Sequence, residues 1–137
     1  MDPLDFLRVA DNLKDSSDEA ERRIAVSRAY YSVFNCIKAY LVQNRIHIPS
    51  DASRHVQLTR YFWNSGIKEA EQLSRTIDDL RTDRNEADYD MDSTRFNKNT
   101  CILLFLKAQK AIEGFQCCKG RTLIEGINNY RKRIGQA

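Results

Sequence analysis

The stretch LSRTIDDLRTDRNEADYDM, Leu73 to Met91, holds the polar residues best spaced for chemistry. At 3.6 residues per turn, Arg81, Arg84, Asn85 and Asp88 fall within about 100° of one another on a helix, with Tyr89 at the edge of the cluster. Arg84 and Asp88 are an i, i+4 pair, close enough to bond. A guanidinium is a planar fork of donors that matches a phosphate, and the Asn85 amide adds to it. One reading is therefore a phosphate or nucleotide site. The same helix has an apolar seam, Leu73, Ile77, Leu80, Ala87 and Met91, and Arg84 fills its one gap. The other reading is structural, with Arg84 held by Asp88 and a neighbouring helix as a register device. An unpaired buried charge costs several kcal/mol, so either reading requires a partner for Arg84. Spacing leaves both open.

The remaining candidates are fewer. His47 sits beside Pro49 and reads as a loop residue. His55 opens a helix, where the dipole disfavours its protonation; it either caps local structure or points towards the Arg84 cluster. Tyr30 and Tyr31 read as core, and Arg28 beside them is expected to pair with Asp88 or Asp90. RYFWN (Tyr61, Phe62, Trp63) offers base-stacking surface but reads as core and rim of a short helix. YRKR (Tyr130–Arg133) is basic enough to follow a phosphate backbone and reads as a solvated tail. The four cysteines, Cys36, Cys101, Cys117 and Cys118, match no zinc spacing and are expected reduced, mostly as small core residues. No metal and no cofactor is expected.

Helices must position these groups. Pro3 suits the first turn of a helix over Pro3 to Lys14, with Leu4, Leu7 and Phe6 inward. Ser16 and Glu19 form a capping box for a long helix reaching about Asn44. Val26, Tyr30, Val33, Ile37 and Tyr40 make its seam, widened by Phe34 and Leu41, which implies burial on two sides. NRIHIPSDAS is a loop ended by Pro49 and the caps Ser50, Asp51 and Ser53. A short helix over Arg54 to Asn64 and another from Ile67 to about Tyr89 follow. Ser93 or Thr94 caps a helix from Arg95 to Cys118 carrying Phe96, Leu103, Leu106 and Phe115, with Ile102 and Phe105 beside them. Gly120 ends it, and residues 119–137 form a basic terminal helix with Leu123, Ile127, Tyr130 and Ile134 on one side. The expectation is all-α: an up-and-down antiparallel bundle of four to five main helices plus short ones, in a single domain over 1–137.

Composition agrees. Charged residues make up 30% of 137, with only five Gly and two Pro, poor material for an all-β fold. Lys and Arg number 22 against 19 Asp and Glu, a net +3 too small to announce a nucleic-acid binder, although a local patch counts for more than the sum. No stretch approaches the roughly 18 apolar residues of a bilayer span, and acids stand where a secretion signal has bases. A cytoplasmic protein without membrane association is expected.

Two segments together resemble the HEPN family, small helical bundles of higher eukaryotes and prokaryotes. SRAYYSVFNCIKAYL (Ser27 to Leu41) resembles the family's Ser-Arg-Ala-Tyr-Tyr segment. LRTDRNEADYD (Leu80 to Asp90) resembles its Arg-Asn motif, in the branch reading Arg-x-x-Ala-Asp-Tyr, where a His such as His55 opens the short third helix. The resemblance spans roughly Val26 to Phe115. It implies a metal-independent endoribonuclease, often a toxin of a toxin–antitoxin pair, built as a homodimer through the Arg84 helix around one composite cleft. Arg84, Asn85 and Tyr89 would be its catalytic residues, with Arg81, Asp88 and His55 binding substrate, RNA or a nucleotide. Arginine would stabilise charge on the phosphorane. The pattern breaks where the nuclease motif has His: here stands Tyr89. A tyrosine of ordinary pKa near 10 is ionised only about once in a thousand at pH 7, a poor base. The resemblance equally implies a non-catalytic partner of a small nucleotidyltransferase acting as antitoxin, with Tyr89 the acceptor. Ligand binding without turnover is a third reading.

Overall fold

A computed structural model describes residues 1–136. They form six helices and, among the described residues, no strand: α1 (Leu4–Leu13), α2 (Glu19–Gln43), α3 (Arg54–Trp63), α4 (Lys68–Tyr89), α5 (Lys98–Cys118) and α6 (Arg121–Arg133). The expected all-α bundle is present.

The wide apolar arc of α2 makes it the central helix, touching α1, α4 and α5. Ala29, Tyr30, Val33, Phe34, Ile37 and Leu41 are all buried along it. The start of α2 meets the end of α4, where Arg23 donates to the Ala87 carbonyl at 3.1 Å. The end of α2 meets the end of α5, where the Tyr40 hydroxyl accepts from the Gly120 N–H at 2.7 Å. So α4 runs antiparallel to α2, and α5 parallel to it. Helix α3 lies against α4 and α6. The apolar stripe of α6, Leu123 and Ile127, joins the main core. It packs so closely that a Cβ on Gly126 would sit 2.0 Å from the Ser65 carbonyl oxygen.

Several local expectations are corrected. The cap of α2 is Asp18, whose carboxylate accepts from the Ala20 N–H at 2.9 Å. Ser16 instead donates to Glu21 at 2.6 Å, so the Ser16–Glu19 box does not form. Helix α5 starts at Lys98, capped by Asn97, whose side chain accepts from the Thr100 N–H at 2.9 Å. Ser93 bonds Glu86 at 2.6 Å instead. The delay has a cause: Phe96 is fully buried beside Val26 and Ala87, and its carbonyl accepts from Arg22 Nε at 3.0 Å. The chain therefore crosses the end of α2 before it coils. Leu103 and Leu106 are 65% and 46% exposed. The buried face of α5 is Cys101, Leu104, Phe105, Ala108, Ala111, Ile112 and Phe115. CILLFL fits either register, and the buried Ala108 and Ala111 continue the face that Cys101 and Leu104 begin. Leu4 and Ile134 are likewise exposed, and Ala10 is the buried residue of α1. Met91 lies beyond the end of α4 and is exposed, so the α4 seam stops at Ala87. All four cysteines are free, but only Cys101 is buried. Trp63 is 44% exposed while Tyr61 and Phe62 are buried, the core-and-rim pattern expected.

Candidate functional site

The arginines of this chain divide by how their donors are used. Arg23 donates to the carbonyls of Ala87, Asp90 and Ser93 at 3.1, 2.7 and 2.9 Å. Arg22 bonds the carbonyls of Phe96 and Ser16, and Arg95 bonds Glu86 and Asp83. These three tie the irregular segment after α4 to its neighbours. Arg84 behaves otherwise. It is 7% exposed, yet it donates no hydrogen bond among the described residues, and its buried Nε has no partner. Its nearest carboxylate is Asp88, at 3.6 Å. Its stem fills the gap in the α4 seam, and its guanidinium stands over the rings of Tyr31 and Tyr30, at 5.2 and 5.6 Å. Such stacking holds the planar group in place while leaving its fork of donors unspent.

Helix α2 supplies that aromatic shelf because Tyr30, Tyr31 and Phe34 share the side facing α3 and α4. Arg28 stands over Phe6 and Tyr31 at 4.8 and 5.5 Å, and Arg54 over Phe34 at 5.9 Å. Buried Nε atoms of Arg23, Arg54, Arg81 and Arg131 also lack partners, so what sets Arg84 apart is that, in a buried residue, its terminal nitrogens are unspent too. The expected pairing of Arg28 with Asp88 or Asp90 is thus overturned. Ser27 donates to Asp88 at 3.4 Å, and Arg23 occupies the end of α4. The aromatic rings attract Arg28 away.

His55, at the start of α3, is buried with its ring 4.8 Å from Phe34. Its Nδ1 lies 2.6 Å from the Tyr30 hydroxyl. Among the described residues that hydroxyl has no other partner, and donating to Nδ1 is the arrangement that satisfies it; the imidazole proton then sits on Nε2. Burial raises the pKa of Tyr30 and keeps it a donor, against the lowering pull of Arg81 and Arg84. Burial also lowers the pKa of His55, helped by the charges of Arg81, Arg54 and Arg84, to about 4. At neutral pH His55 is an uncharged donor whose one acceptor atom is occupied. It can hold an anion, but it cannot take a proton from a substrate.

Residues 5–118 match the family profile of the HEPN domain. The chain belongs to the HEPN domain family. No curated protein and no solved structure matches it. The HEPN match runs from α1 through α5, and α6 follows it.

Within this HEPN domain the fold brings Arg81, Arg84, Asp88 and His55 together. Asn85 is half-buried beside them without a hydrogen bond from its side chain among the described residues. Tyr89 is not gathered in: it is the last residue of α4 and 74% exposed. Sequence spacing missed Arg54 and the role of Tyr31. Arg54 adjoins His55, and Tyr31 lies four residues after Ser27, so adjacency was the available signal. The described residues include no His/Cys/Asp/Glu group suited to a metal ion. No helix among them is long and apolar enough to cross a membrane.

Proposed function

We propose that this HEPN protein is an RNA-directed, toxin-like homodimer of the cytoplasm, in which the α4 helices of two protomers meet so that Arg84, Asn85 and Tyr89 of each line one cleft. The observation carrying this reading is Arg84 itself, nearly buried, stacked on Tyr31 and without a hydrogen bond among the described residues. Arg84 to Tyr89 also fits the Arg-x-x-Ala-Asp-Tyr branch of the family. A guanidinium kept idle at such cost suits a phosphodiester, which it would bind and whose phosphorane it would stabilise during attack by the RNA's own 2′-hydroxyl. Metal-independent cleavage then needs a base for that hydroxyl. His55 is spent as a donor to the ligand side, so the step falls to Tyr89 and is slow.

The test is binding and cleavage of a single-stranded oligoribonucleotide in EDTA, with the natural chain, Arg84→Ala and Arg84→Lys. Binding should fall at least tenfold in Arg84→Ala, with partial recovery in Arg84→Lys, and any cleavage should vanish with Arg84. A natural chain that neither binds nor cuts RNA ends the reading. Light scattering tests the dimer in the same samples.

A second reading is favoured by the exposure of Tyr89, whose hydroxyl is open to another enzyme. Here a small nucleotidyltransferase acting as antitoxin transfers a nucleotide to Tyr89 and silences the cleft. Coexpression with such an enzyme should add nucleotide mass to the peptide containing Tyr89, and Tyr89→Phe should abolish the addition. An unmodified peptide would exclude it.

A further inference from the structure

The basic run YRKR lies outside the HEPN match, which stops at residue 118, and it ends α6 rather than trailing as a solvated tail. A Schellman turn closes the helix. Gly135, at φ 78°, lets its own N–H reach the Lys132 carbonyl at 3.1 Å and the Gln136 N–H reach the Arg131 carbonyl at 2.8 Å. The turn folds Gln136 back onto α3, where its amide oxygen accepts from the Tyr61 hydroxyl at 2.9 Å and from Gln57 at 3.4 Å. In the loop after α2, Ile46 and Ile48 are buried and His47 between them is exposed. Between this loop, α3 and α6 lies a pocket of about 220 Å³ lined by His47, Pro49, Gln57, Tyr61, Arg131 and Gln136. No carboxylate is among its lining residues. Arg131 spends one terminal nitrogen on Asn128 at 2.9 Å. Its other terminal nitrogen, the His47 ring and the Gln136 amide nitrogen donate to nothing among the described residues. From Asn128 to Gln136 the chain has Arg131, Lys132 and Arg133 and no acid.

We propose that this pocket is a second phosphate subsite for single-stranded RNA, built by α6 and separate from the Arg84 cleft, in which Arg131, His47 and the Gln136 amide hold one backbone phosphate of a strand. A guanidinium with a free terminal nitrogen suits a phosphate oxygen. Small-molecule sites enclose about 300–1,000 Å³, so a pocket below that range suits one charged group of a longer chain rather than a whole ligand. The strand also has a path. Arg54, Gln57 and Tyr61 are spaced i, i+3 and i+7, which sets them along one face of α3. That face begins beside His55 and reaches the pocket about 10 Å further along the helix axis. Beyond the pocket, the exposed Lys132 and Arg133 extend the positive surface. The proposal rests on the RNA reading for its ligand, but none of its residues belongs to the Arg84 cleft.

The chain has two histidines, one at each site, so their ring-proton resonances report the two sites separately, and His47→Gln assigns them. A labelled single-stranded oligoribonucleotide long enough to span both sites is titrated by NMR, and its affinity is followed by anisotropy over a range of salt, with polyglutamate as competitor. The oligomer should shift the His47 resonance saturably. In Arg131→Gln that shift should be lost while the shift of His55 persists. Binding to this variant should be several-fold weaker at low salt, and the slope of log affinity against log salt should be shallower by about 0.7, the loss of one phosphate contact. An oligomer that shifts His55 and leaves His47 unmoved overturns the subsite and leaves the RNA reading standing. A His47 shift that survives Arg131→Gln also overturns it. So does polyglutamate that displaces the oligomer as well as unlabelled RNA does, which would mark a general anion patch. A shift of His47 with His55 unmoved supports the subsite and removes the Arg84 cleft. No shift of either resonance removes both.

Discussion

Acid should weaken this fold through His55, by an amount the structure sets. The residue is 5% exposed, and its Nδ1 lies 2.6 Å from the Tyr30 hydroxyl. Burial first, then the charges of Arg81, Arg54 and Arg84, brings its pKa from 6.5 to about 4. A folded pKa below the unfolded one means that the unfolded chain binds more protons between those two values. Stability is therefore full above pH 6.5 and falls as pH drops towards 4. Each pKa unit corresponds to 1.36 kcal/mol. That lowering costs at most about 3 kcal/mol, of which roughly 1 is lost by pH 5.5 and about 2–3 by pH 4.5. Against a whole stability of about 5–15 kcal/mol this is a large fraction. Urea denaturation of the natural chain and of His55→Gln, from pH 7.5 to 4.5, isolates the contribution, because the surface carboxylates are common to both. Gln at position 55 retains an acceptor for Tyr30 and cannot be charged. The natural chain should lose about 2–3 kcal/mol more than the variant over that interval. Parallel profiles, or a His55 proton resonance titrating above pH 6, would refute the neutral, donor-only imidazole.

Four further substitutions probe the site and the packing of the fold. Arg84→Met should raise stability by about 1 kcal/mol or more, because it completes the seam and removes a poorly paired buried charge, while abolishing RNA binding. Arg23→Met should instead cost about 2 kcal/mol or more, since it strands the carbonyls of Ala87, Asp90 and Ser93; both read as urea midpoints. Gly126→Ala puts a methyl group 2.0 Å from the Ser65 carbonyl oxygen. It should destabilise by about 1–3 kcal/mol and expose α6 to limited proteolysis. Arg45 follows α2 with φ 62°, where the Ile46 N–H closes on the Leu41 carbonyl at 2.9 Å. Arg45→Gly should stabilise by about 0.5–1 kcal/mol in thermal melts, since glycine adopts that conformation without the Cβ clash.

Helix number, the approximate ends of α2 and α4 and the anomaly of Arg84 were all legible in sequence, because they depend on periodicity and on local start and stop signals. Those signals act over one or two turns, and the chain carries them whatever it packs against. Legibility ended where two local solutions were nearly equal. Asp18 and Ser16 are both good caps, and burial of Phe96 moved the start of α5 from Arg95 to Lys98. CILLFL is apolar on every side, so only the packed fold turned Leu104 inward and Leu103 outward.

The candidate site divides in the same way. Sequence by itself put Arg81, Arg84, Asn85 and Asp88 on one face of one helix. Only tertiary structure brought His55 and Arg54 from α3, and Tyr30 and Tyr31 from α2, to that face. It also left Tyr89 in solvent. The fate of His55 shows the reason. Its charge state depends on burial and on guanidinium groups from another helix, and its tautomer on a hydroxyl 25 residues away. Fields and desolvation act through space, where neighbours in the folded chain, not neighbours in sequence, decide what a side chain can do.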